Sequence, residues 1–177
     1  MMQSLLSNIH AWDSRLCSRI FGWNGRKAMD LCMYYASRSG DGFLYAIIGI
    51  VILLFDTEVG QEYVPAGLAA FAIELPLFKL LKHKVRRDRP FERIAGMRYL
   101  IKPPDRFSFP SGHTAAAFLM GTLTSWFYPE LSIPAFIWAA TVGLSRVYSG
   151  VHYPTDVFAG MILGMASASA SISLVCA

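Results

Sequence analysis

Three short polar clusters interrupt an otherwise oily chain, and their residue types suit the handling of an anion. The first is Lys82-His83-Lys84-Val85-Arg86-Arg87-Asp88-Arg89-Pro90. The second is Pro110-Ser111-Gly112-His113, and the third is Ser145-Arg146 followed by His152 and Asp156. Ser111 is a good N-cap residue and Gly112 the first residue of a helix. The backbone N–H groups of Gly112 and His113 would then point out of a helix N-terminus, which attracts negative charge. His113, at the same place, could hand a proton to a leaving oxygen. Pro154 suits the first turn of another helix, with His152 just before it and Asp156 just inside. A carboxylate bonded to one ring nitrogen of His152 would fix its tautomer and leave the other nitrogen free as a nucleophile. Lys82 and Arg89 are candidate phosphate clamps, Arg by a bidentate fork and Lys as a point charge. Lys84, Arg86 and Arg87 read as lipid-headgroup contacts. Each cluster alone also fits a plainer role: a helix cap, a charge at a helix start, or a juxtamembrane basic patch.

The elements that must position these residues are membrane helices. The chain has 177 residues, 54% of them hydrophobic and 16% charged. Soluble domains carry about 25% charged residues. Phe43–Phe55, Thr114–Tyr128, Leu131–Ser145 and Val157–Ala177 contain no Asp, Glu, Lys or Arg. Tyr63–Leu80 contains only Glu74 and Lys79. An all-α integral membrane bundle of one domain follows, with about five spanning helices near 43–56, 63–85, 112–128, 131–148 and 154–175 (a sixth would have to come from residues 1–39). Residues 1–39 read as two amphipathic helices lying in the interface. Leu5, Leu6, Ile9, Trp12, Leu16 and Ile20 recur at helical spacing there, away from Arg15 and Arg19. Residues 86–109 read as a loop near the site. Pro76 predicts a kink in the second span. Gly160, Gly164 and Ala168 form a small-residue stripe that predicts close internal packing of the last helix. Cys17, Cys32 and Cys176 have no metal-ligand spacing and read as packing residues.

Glu74 lies at membrane depth, where an ionisable residue is a site candidate by default. Glu74, Phe78 and Lys82 share one side of a helix, so Glu74 is expected to orient or neutralise Lys82, or else to make an interhelical hydrogen bond as the neutral acid. If the spans alternate in direction, all three clusters reach one membrane face. All Lys and Arg residues lie in Arg15–Arg38, Lys79–Arg106 or at Arg146. The density of cationic groups would repel a metal ion and suits an anion held without one.

With these residues in view, the chain resembles the type 2 phosphatidic acid phosphatase superfamily. Lys82-x6-Arg89-Pro90, Pro110-Ser111-Gly112-His113 and Ser145-Arg146-x5-His152-x3-Asp156 match its three-part signature, with order and spacing intact. The resemblance implies His152 as a nucleophile forming a phosphohistidine, Asp156 as its orienting carboxylate, and His113 as the proton donor to the leaving group and later the activator of water. Lys82, Arg89, Arg146, Ser111 and the Gly112 backbone would hold the phosphoryl oxygens. No metal and no cofactor would be needed. The expected activity is hydrolysis of a lipid phosphate or diphosphate: undecaprenyl diphosphate, a phosphatidylglycerol phosphate or phosphatidic acid. A phosphotransferase would use the same residues, and a non-catalytic anionic-lipid binder is the third class. The expected partners are the lipid substrate and the bilayer, and no nucleic acid. Two orientation signals conflict. Setting aside Lys82, Arg89 and Arg146 leaves 16 − 3 = 13 basic residues on the site face, which points to the cytoplasm. The resemblance points instead to a bacterial plasma membrane (inner membrane) with the site facing outward.

Overall fold

A computed structural model describes residues 2–176, with side chains described from residue 8 onward. The described residues are helical with no strand. The elements are α1 (Met2–Phe21), α2 (Lys27–Arg38), α3 (Gly42–Phe55), α4 (Thr57–Val85), a short α5 (Pro90–Arg93), α6 (Gly112–Phe127), a 3-10 turn (Pro129–Leu131), α7 (Ser132–Tyr148) and α8 (Pro154–Val175).

The helix starts follow local chemistry. Pro154 opens α8, and the Asp156 carboxylate reaches back to accept the backbone N–H of Tyr153 at 2.8 Å. Asp56 ends α3 and begins α4, its carboxylate accepting the N–H of Val59 at 3.4 Å. Gly60 lets the two helices close on each other, because a Cβ there would sit 2.6 Å from Leu53 Cα. The residues between the expected spans 43–56 and 63–85 are thus the first turns of α4. That helix continues through Pro65 and Pro76. The segment after it contains the single turn α5, and the rest of 86–109 is loop as expected.

α6 is the centre of the bundle, packed against α8, α7 and α4. The small-residue stripe acts between α8 and α6, as expected. A Cβ on Gly164 would lie 2.0 Å from Ala115 O, and one on Gly160 would lie 2.5 Å from Ser111 O. This close approach brings the starts of the two helices together, and the N–H of Ser111 donates to Asp156 O at 3.0 Å. Cores of Tyr63, Ala66, Ala70, Leu119 and Leu123 on one side, and of Phe118, Ala139 and Val142 on another, fix these contacts.

Among the described residues, three segments are by length and composition alone long and apolar enough to cross a membrane, fewer than the five expected: Thr57–Arg93, Pro129–Tyr148 and Pro154–Val175. A fourth crossing exists if α2 and α3, bent by 61° at residues 39–41, form one broken span. The reason is length. α3 has 14 residues and α6 has 16, about 21 and 24 Å at 1.5 Å per residue, short of a hydrocarbon core of about 30 Å. Cys17 is buried, but Cys32 is exposed and does not pack.

Candidate active site

The loop between α7 and α8 carries His152, 2% exposed. Its Nε2 faces Arg89 Nη1 at 3.5 Å. Its Nδ1 lies 3.6 Å from Asp156 Oδ2 and has no hydrogen-bond partner. Burial, then the charges of Arg89, Arg146 and Lys82, hold the imidazole well below its ordinary pKa of 6.5. That direction favours the neutral ring, in which one nitrogen carries a lone pair. The expected His152–Asp156 hydrogen bond is not closed, because other donors hold Asp156. Oδ2 takes the Tyr153 N–H, and Oδ1 takes Arg87 Nη1 at 2.8 Å.

Arg87 is where the sequence reading fails most clearly. It does not face lipid headgroups. Its guanidinium is 13% exposed and stacks 3.9 Å over the Tyr153 ring. Besides Asp156 it donates to Thr155 Oγ1 at 2.7 Å and to Asp13 Oδ2 at 2.6 Å. Asp13, fully buried, also accepts the Thr155 N–H and hydroxyl at 3.0 and 2.5 Å. Helix α1 is thereby tied to the start of α8, and its residue Cys17 packs with Tyr153 and Val147.

Ser111 occupies the N-cap of α6 as expected, but its hydroxyl makes no capping bond and accepts instead from Thr114 Oγ1 at 2.8 Å. A Cβ on Gly112 would stand 3.0 Å from the Phe78 ring, which would have to give by a few tenths of an ångström. His113 Nε2 lies 3.0 Å from Asp41 Oδ1, and Asp41 pairs with Arg38 at 3.2 Å. The break between α2 and α3 thus supplies the carboxylate that orients this histidine.

The cations are buried. Arg146 is 1% exposed, donates through Nη1 to Ser37 Oγ, and leaves Nε without a partner. Arg89 also donates to Val151 O at 2.7 Å. Lys82 lies over the Phe78 ring, 4.4 Å from its centroid. Both Lys82 and Arg89 reach Asp105, at 2.6 Å each. Glu74 therefore does not neutralise Lys82. Eight residues up the helix, about 12 Å along its axis, its buried carboxyl lines a cavity of about 650 Å³ between α3, α4 and α6. This cavity runs from Asp41, Gly112 and His113 past Glu74 to apolar Leu53 and Leu68.

The fold thus brings His152, Asp156, Arg89, Lys82 and Arg146 around the start of α6, and leaves Glu74 outside that group. Sequence reasoning missed Asp13, Ser37, Asp41 and Asp105 as partners. Only Asp41 had a signal, its place in the Ser39-Gly40-Asp41-Gly42 break beside a basic residue.

Comparison with known proteins shows the family. A family model described as the PAP2 superfamily matches residues 64–176. The chain is 30% identical over 154 residues to an undecaprenyl-diphosphatase of Sulfolobus acidocaldarius, covering 82% of this chain and 70% of that protein. It is 38% identical over 125 residues to a decaprenylphosphoryl-5-phosphoribose phosphatase of Mycobacterium tuberculosis, covering 68% and 64%. A relative from Bacillus licheniformis, a bacitracin transport permease protein BcrC, is matched over 62% of its length, so the chain spans about two thirds of the curated relatives it matches. The crystal structure of Aquifex aeolicus LpxE superposes with a TM-score of 0.80 at 27% identity, over 90% of this chain and 93% of that one. The chain belongs to the PAP2 superfamily.

Proposed function

We propose that the chain acts as a single membrane domain that hydrolyses a terminal phosphate from a lipid phosphate or diphosphate, through a phosphohistidine on His152 and without a metal. The observation that carries this is a His152 buried at 2% exposure and set among Lys82, Arg89 and Arg146 beside the N-terminus of α6. A neutral imidazole retains its lone pair while the surrounding cations lower the cost of bringing a phosphate anion to it.

In the first step His152 Nε2 attacks phosphorus and the bond from phosphorus to the leaving oxygen breaks. His113, its pKa pushed down to about 4 by burial and by Arg146, takes a proton from the entering monoprotonated phosphate group and gives it to that oxygen. In the second step His113 takes a proton from water, the water oxygen bonds to phosphorus, and the phosphorus–nitrogen bond breaks. Inorganic phosphate leaves and His152 is restored. Asp156, held by Arg87 and the Tyr153 N–H, stands near Nδ1 to take its hydrogen bond as charge develops on the ring. Arg89, Lys82, Arg146 Nε and the N–H groups at the start of α6 receive the phosphoryl oxygens. Asp41 keeps His113 in place.

The apolar cavity beginning at His113 gives a lipid tail a course between α3, α4 and α6, so the head can enter the site while the chain stays in the bilayer. The head-proximal part of a prenyl chain, as in the substrates named for two of the relatives, suits this apolar lining, with the rest of the chain in the bilayer. On this reading the site faces the outer side of a bacterial plasma membrane, an orientation that the family resemblance supports and the distribution of basic residues opposes. An impermeant thiol reagent in intact cells should label Arg98→Cys in a form lacking Cys17, Cys32 and Cys176, and protection of that cysteine would put the site inside.

Phosphate release from purified lipid substrates tests the activity. Undecaprenyl diphosphate, phosphatidylglycerol phosphate and phosphatidic acid should be compared in detergent with a metal chelator present. Turnover of at least one, abolished in His152→Ala, is expected. Turnover unchanged in that variant would overturn the proposal.

A further inference from the structure

Two of the cations assigned to the phosphoryl group are already held by a carboxylate. Asp105 Oδ2 accepts from Lys82 Nζ at 2.6 Å, and Oδ1 accepts from Arg89 Nη2 at 2.6 Å. The main-chain oxygen of Asp105 also accepts from Arg89 Nε at 3.2 Å. The cations are fixed and nearly inaccessible, with side chains 8% and 1% exposed, whereas the Asp105 side chain is 38% exposed. Asp105 also sits on the loop before α6 rather than on a helix. The carboxylate is thus the member of the group that can swing away. An incoming phosphoryl group needs the same N–H donors.

Resting on the phosphate-site reading above, we propose that Asp105 is a specificity-determining residue: an intramolecular competitor that sets how much charge an anion must carry to enter the site. A carboxylate offers one negative charge and two oxygens. A phosphodiester, the group in bulk bilayer phospholipids, also offers one charge and two free oxygens. It gains nothing by displacing an occupant that is tethered to the chain and so held at high effective concentration. A terminal phosphate carries about 1.5 to 2 negative charges near neutral pH and three acceptor oxygens. It can replace both carboxylate bonds and still use Arg146 Nε and the start of α6. A site immersed in phosphodiesters is thereby kept for terminal phosphates. Burial alone would raise the Asp105 carboxyl, but hydrogen bonding and charge from Lys82 and Arg89 outweigh it and hold its pKa below the usual 3.8. The occupant therefore stays ionised at neutral pH.

Calorimetric titration of the detergent-purified full chain with inorganic phosphate tests this, alongside inhibition of turnover by phosphatidylglycerol in mixed micelles. Asp105→Asn keeps the shape of the side chain and Asp105→Ala removes it. In both variants inorganic phosphate should bind at least tenfold more tightly than in the wild type, about 1.4 kcal/mol. Phosphatidylglycerol should become a competitive inhibitor that the wild type resists. Phosphate binding that is unchanged or weaker in Asp105→Asn, with its melting temperature preserved, would overturn the proposal and leave Asp105 as an aligner of Lys82 and Arg89. No detectable phosphate binding in the wild type or either variant would overturn the phosphate site itself.

Discussion

Replacement of Arg87 by Met separates the sequence expectation from the structural finding. As a headgroup contact, Arg87 would be a surface residue whose loss changes stability by about 0.5 kcal/mol or less. In the structure its guanidinium bridges Asp13 and Asp156, both fully buried. Met fills much of the space over the Tyr153 ring but leaves two carboxylates unpaired out of water. Removing one partner from a buried ion pair costs about 3–5 kcal/mol. The bonds that remain are those from Thr155 to Asp13 and from the Tyr153 N–H to Asp156. These keep the loss within that range rather than at twice it. Denaturation of the purified protein in mixed micelles, followed by circular dichroism, measures it. Asp13→Asn in the Arg87→Met background should recover about 1–3 kcal/mol, because it removes one unpaired charge while the amide still accepts from Thr155. A loss below 1 kcal/mol for Arg87→Met, or simple additivity of the two substitutions, would refute the buried bridge.

Gly164→Ala should cost about 1–3 kcal/mol or more, since the new Cβ meets Ala115 O at 2.0 Å and must push α8 off α6; the same denaturation experiment reads it. Asp41→Asn should lower kcat at constant fold and shift its pH profile, because His113 loses the charge of its partner at 3.0 Å; an unchanged profile would remove Asp41 from the site. His152 gives a pH effect of fixed sign. Its folded pKa is depressed below 6.5, so below pH 6.5 the unfolded chain binds a proton that the folded chain does not. Stability from this group is therefore complete above pH 6.5 and falls as the pH drops, by up to about 1.4 kcal/mol per pH unit. His152→Gln should flatten that part of the curve.

The chemistry-bearing residues were legible because each sits at a helix boundary with its own local signal. Pro154 and Asp156 mark the start of α8, Ser111 and Gly112 the start of α6, and the stripe from Gly160 shows where the two helices meet. Alternation of the helices then predicts that the clusters converge. What was not legible is the set of acids that hold the bases. Asp13 precedes Arg87 by 74 residues, and Asp105 lies in a loop with no periodicity to point it at Lys82. Such pairings are set by tertiary packing, and a single charged residue carries no trace of its partner. Glu74 misled for the opposite reason. Helical spacing placed it on the side of Lys82, but eight residues separate the two along α4, and the nearer loop carboxylate takes the lysine. By length and composition fewer helices qualify as spans than the five read from the sequence, because α3 and α6, at 14 and 16 residues, are short for a bilayer core.

The central claim is tested most directly by rapid quench of the full chain with a lipid diphosphate labelled with ³²P at the terminal phosphorus. A phosphoenzyme that is stable to base, labile to acid and mapped to His152 is expected, with no label in His152→Ala. Turnover without covalent label in the quenched wild type, or label on a residue other than His152, would contradict it.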